Sequence, residues 1–119
     1  MNKQIFGNVF DIDTVIYMGL FEDMENVFNN FSVSEENRAG IDIIFAAYEY
    51  EDYSGSAFVI FLKEGILYEV HGGHCSCNGL EGQWEPEETS LEALMFRPNV
   101  PNEAKANLKK IYKTLIPFL

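Results

Sequence analysis

The chain has 119 residues, 47 % of them hydrophobic and 14 % aromatic, which is enough apolar area for one domain with a buried core and too little length for two. Its formal net charge is −11, and residues 1 to 98 carry −14 from four basic and eighteen acidic side chains, against +3 over the remainder. Such a surface repels phosphate backbones and so argues against direct nucleic-acid binding, no apolar run approaches a membrane span, and "MNKQIFGNVFDIDTVIYMGL" lacks a secretion-signal pattern, so a cytoplasmic protein is expected.

The segment "QIFGNVF" at 4–10 reads as an edge strand. Leu20, Met24, Val27, Phe28 and Phe31 recur at helical spacing and predict a helix over 20–31 with that stripe turned inward. "SEENRAG" at 34–40, with a Ser start and a Gly stop, adds one or two turns. From Ile41 the period changes. "IDIIFAAYEYEDY" is rich in branched and aromatic residues and alternates Tyr48 and Tyr50 with Glu49 and Glu51, as a half-exposed strand does. "SGS" at 54–56 predicts a turn, "AFVIFL" a central strand covered on both faces, "KEG" at 63–65 a tight turn with Gly65 at positive φ, and "ILYEVHG" a third strand.

Further on, Pro86 predicts the first turn of a helix whose positive end meets Glu85, Glu87 and Glu88, with Leu91, Leu94 and Met95 inward. "RPNVPNE" interrupts it, and a last helix starts near Pro101 or Asn102 with Leu108, Ile111, Tyr112 and Leu115 as its stripe and lysines opposite. The expected fold is α+β: a three- to four-stranded antiparallel meander sheet, with helices before and after it packed mainly on one face.

Between these elements lies "EVHGGHCSCNGLEGQWEPEE" at 69–88, which holds both histidines, both cysteines and the single tryptophan of the chain. His71, His74, Cys75 and Cys77 are ligand types that zinc accepts, although seven residues is a cramped span beside the usual structural site. A disulfide between Cys75 and Cys77 would be strained. An imidazole from His71 or His74 beside Cys77 is the pairing a thiol enzyme needs, but no oxyanion donor accompanies it in the sequence. In the packing alternative the thiols serve as small hydrophobes, and Trp84, with Leu80, pins the glycine-rich loop onto the sheet.

The residues "YEYEDYSGSAFVIF" and "LYEVHGGHCSCNGLEGQWEPEETSLEAL", with the EDYSG turn and the HCSC and GLEGQWEPEET wording, resemble a class of small uncharacterised proteins encoded by tailed bacteriophages and prophages. The resemblance covers about residues 48 to 94. It implies a setting of phage accessory genes, where short acidic proteins that block host defence are frequent. With the acidic surface, it leads to a non-enzymatic, cofactor-free inhibitor of anti-CRISPR-like or other anti-defence type. Such a protein acts in the host cell cytosol on a host protein with a basic surface, such as a nucleic-acid-guided nuclease. The expected partner-binding residues are Glu49, Glu51, Asp52, Tyr53, Trp84, Glu85, Glu87 and Glu88. Two alternatives stay open: a small zinc-binding structural or regulatory domain built on His71, His74, Cys75 and Cys77, and an acidity that serves solubility alone.

Overall fold

A computed structural model describes residues 15–51, 54–74 and 79–115. In chain order these form β1 (Ile16–Gly19), α1 (Met24–Phe31), α2 (Glu35–Arg38), β2 (Asp42–Glu51), β3 (Ser54–Lys63), β4 (Ile66–His74), β5 (Glu87–Glu88), α3 (Leu91–Phe96) and α4 (Asn102–Leu115). The sheet order is β1-β2-β3-β4-β5. The class is α+β and β2, β3 and β4 form the antiparallel meander, but the sheet is mixed and has five strands among the described residues.

The extra edge strand is β1, which runs parallel to β2 with Ile16 opposite Phe45 and Gly19 opposite Tyr48. A parallel neighbour requires a crossover, and the two short helices between β1 and β2 supply it. Residues 4–10, the expected edge strand, lie outside the described residues. At the end of β1 the chain turns sharply at Gly19, φ 69°, where a Cβ would sit 2.1 Å from the Tyr48 carbonyl oxygen. Only glycine fits that approach.

The first helix starts later than its apolar spacing suggests. Asp23 caps it, its carboxylate accepting from the Asn26 amide at 2.8 Å, so Leu20 precedes the helix and stays exposed while Val27, Phe28 and Phe31 are buried. Between β3 and β4 the turn places both Glu64 and Gly65 at positive φ, with Lys63 opposite Ile66, the two-residue hairpin that suits strand twist. The expected "SGS" turn is displaced: Ser54 pairs with Glu51 and Ser56 with Glu49, so all three residues belong to β3.

The helices cover both faces of the sheet rather than mainly one. On one face Val27, Phe28 and Phe31 of α1 pack with Ile43, Ala46, Tyr48, Val59, Phe61 and Val70. On the other, Leu94 of α3 and Ala104 and Leu108 of α4 pack with Ile44, Phe45, Ala47, Ile60 and Leu62. The cause is visible in β2 and β3, which are apolar on alternate and intervening residues alike and so must be buried on both sides. Between Ile43 and Phe45 the β2 register shifts, so Ile44 and Phe45 both serve the second face. Buried Asn107 of α4 donates to the Ile44 carbonyl at 2.8 Å, answering a backbone acceptor at that irregularity. The side chains of Ile111, Tyr112 and Leu115 lie outside the described residues.

A second correction falls on residues 85–88. Glu87 and Glu88 are not helical but extended, opposite Glu69 and Tyr68, and the Thr89 amide continues the ladder onto the Leu67 carbonyl at 2.9 Å. The helix begins only at Ser90, whose hydroxyl accepts from the Ala93 amide at 3.1 Å. Edge pairing along β4 outweighs the local preference of a Pro-Glu-Glu run for a first helical turn.

Candidate functional site

Two features of the 69–97 region bring chemistry-bearing side chains together, one on each face of the sheet. The first is the loop from Gly79 to Pro86, which folds back over β4. Its Leu80 is 2 % exposed and lies against bare Gly72, where a Cβ would stand 2.9 Å from Leu80 Cδ2 and 3.0 Å from Phe31 Cε1. Gln83 fastens it: Oε1 accepts from the Gly73 amide at 2.8 Å, and Nε2 donates to the carbonyls of Gly73 and Gly79 at 2.7 and 2.8 Å. One side chain thereby stands in for a neighbouring strand at the β4 edge.

Trp84 follows and is half-buried in the aromatic cluster under α1. It stacks on Phe61 at 5.6 Å and meets Phe28 and Phe31 edgewise at 5.7 and 5.2 Å. Tyr68 also stacks on Phe61, at 5.2 Å. A groove of about 440 Å³ opens beside these rings, lined by Ile41, Phe61, Tyr68 and Trp84 with Lys63 and Glu64. The packing expectation for Trp84 and Leu80 thus matches the observed loop.

The second feature is buried Glu69, 5 % exposed, whose carboxylate faces the α3–α4 side. Arg97, just past α3, grips it with two hydrogen bonds, Nη1 to Oε1 at 2.8 Å and Nη2 to Oε2. The His71 Nε2–H donates to Oε1 at 2.6 Å, and Arg97 also reaches the Thr89 hydroxyl at 3.5 Å. Burial by itself would raise the Glu69 carboxyl, but hydrogen bonds from Arg97, His71 and Thr89 and the Arg97 charge outweigh it and bring the pKa from 4.5 down to about 2. The His71 ring lies 4.8 Å from Phe58, at the wall of a hollow of about 180 Å³ that Glu49, Ser56, Arg97 and Asn99 also line. A carboxylate-held imidazole can orient a proton, while the two-point grip of Arg97 ties the helical layer to β4.

The expected metal ligands separate. His71 and His74 lie on the continuous strand β4, three residues apart, and their rings reach opposite faces, His71 toward Phe58 and His74 toward Tyr48 at 6.1 Å. Cys75 and Cys77 lie outside the described residues, and among those described no group of three or more His, Cys, Asp or Glu is placed to share an ion.

The expected partner residues divide likewise. Glu49 is exposed on the α3–α4 face, at the small hollow. Glu85, Glu87 and Glu88 are exposed, Glu87 sharing the face of its opposite residue Glu69 and Glu88 that of Tyr68. The Glu51 side chain, Asp52 and Tyr53 lie outside the described residues. Sequence reasoning passes over Glu69, Arg97 and Gln83. The available signal for the first two is that Arg97 is one of only four basic residues before position 98, a scarce counter-ion for an acid set inside an apolar strand.

Comparison with known protein families, curated proteins and solved structures finds no match to this chain.

Proposed function

We propose that this chain is a non-enzymatic binding protein of phage or prophage origin that inhibits a host defence protein in the host cytosol by occupying a basic surface, the target class being a nucleic-acid-guided nuclease. The observation that carries the proposal is the sorting of charge around β4 and β5. Among the described residues the one buried acid, Glu69, is matched by Arg97, while Glu64, Glu85 and Glu88 are exposed and make no salt bridge there. An acidic rim beside a packed aromatic floor steers a basic surface toward the protein and supplies apolar contact once it arrives.

Changing Glu49, Glu51, Asp52, Glu85, Glu87 and Glu88 together to lysine is expected to abolish capture of a basic partner at physiological salt. Thermal melting should show the fold retained, because these changes avoid the described core. Capture that survives the six changes overturns the reading.

A further inference from the structure

We infer that the groove beside Trp84 is the receptor for an arginine side chain of the partner. The inference rests on the reading of a basic partner and names the contact that would give it specificity. Two partly exposed rings, Trp84 and Tyr68, lie nearly parallel along the groove, because each stacks on buried Phe61, inclined to it by 10° and 22°. Flat, parallel aromatic faces suit a guanidinium, which is planar and weakly hydrated, better than the compact and strongly hydrated ammonium of lysine.

The charges at the rim select a cation. Lys63 is offset by its neighbour Glu64, and Glu88 stands opposite Tyr68 on the same face, with Glu85 exposed between Trp84 and Pro86. A phosphate or carboxylate ligand would be repelled by the exposed carboxylates of Glu64, Glu85 and Glu88, whereas these attract an arginine that stacks in the groove. The same aromatic cluster already holds one guanidinium inside the protein. Arg38 lies 5.3 Å over the Phe28 ring, which packs against Trp84, and its Nε donates to the Val33 carbonyl at 2.9 Å. At about 440 Å³ the groove is wide enough to take the residues flanking the arginine as well.

Trp84 is the only tryptophan of the chain, so its fluorescence and indole N–H resonance report on this groove alone. The full chain is titrated with capped nona-arginine, nona-lysine and a neutral Gly-Ser peptide of equal length. The arginine peptide is expected to shift the Trp84 signals saturably and to bind about tenfold more tightly than the lysine peptide, a preference that reflects stacking of the planar, weakly hydrated guanidinium. The Glu64→Lys/Glu88→Lys variant, altered only at exposed positions, should lose that preference and keep the parent melting curve. Equal binding of both cationic peptides with Trp84 unmoved overturns the groove and leaves the acidic-surface reading standing. Binding of neither overturns both, and an equal Trp84 response to the neutral peptide overturns the arginine assignment.

Discussion

Arg97→Ala is expected to destabilise the protein by about 3–5 kcal/mol, because it takes the charged partner from the buried Glu69 carboxylate and leaves it with His71 and Thr89 as side-chain partners. Denaturant unfolding at neutral pH measures it. The effect carries a pH signature whose sign is fixed. The Glu69 pKa is lowered in the fold, to about 2 from 4.5, so the stabilisation is complete above the ordinary value and disappears as pH falls toward the folded one. It is worth about 3 kcal/mol when fully developed. The stability gap between the parent and Arg97→Ala should therefore narrow steadily as the solution is acidified from about pH 6 toward the folded pKa. A gap that stays constant through that window would show that the variant loses packing rather than the charged contact.

Trp84→Ala is expected to cost about 3 kcal/mol, the lower end of the range for truncating a packed aromatic, since the ring is only half-buried. For a domain of this size that corresponds to a fall of about ten degrees or more in Tm. Three ring contacts disappear together, to Phe28, Phe31 and Phe61, and the loop that Gln83 and Leu80 hold against β4 loses its largest anchor. The same loss should be seen with and without chelator, because the anchoring contacts are aromatic. A variant that melts like the parent would make Trp84 a free surface residue and remove the packed floor from the functional account.

The central meander is legible in the sequence because its signals are local. Apolar runs from Ile41 to Val70 are punctuated by turn residues, and Gly65 marks the β3–β4 hairpin. What escapes reading depends on distant partners. The strand "IYMG" is too short to show a period, and it becomes a strand because β2 offers a free edge after the crossover. Helices on both faces follow from a consequence already present in "AFVIFL", since a strand apolar on both sides needs a cover on each; assigning the helices mainly to one face neglects it. Glu87 and Glu88 look like a helix start locally and become a strand because β4 extends beneath them, whereas the true start carries the short signal of Ser90.

The site divides the same way. Trp84 and Leu80 can be read as anchors because large apolar groups are scarce in that loop and ordering it requires some compensating burial. The Glu69–Arg97 pair cannot, since its members are 28 residues apart and nothing local separates an inward acid from an outward one. The histidines suggest one ligand box by proximity in sequence, yet β4 runs straight through Gly72 and Gly73, and strand alternation sends the two rings to opposite faces.

Native mass spectrometry of the chain purified from its own host tests the central claim most directly, because one spectrum records both bound protein and bound metal. The expected spectrum holds a complex with one basic host protein that dissociates as ionic strength rises, with the chain itself at its metal-free mass. A chain carrying one stoichiometric zinc, lost on Cys77→Ser, and no protein partner would contradict it and establish the metal-binding alternative.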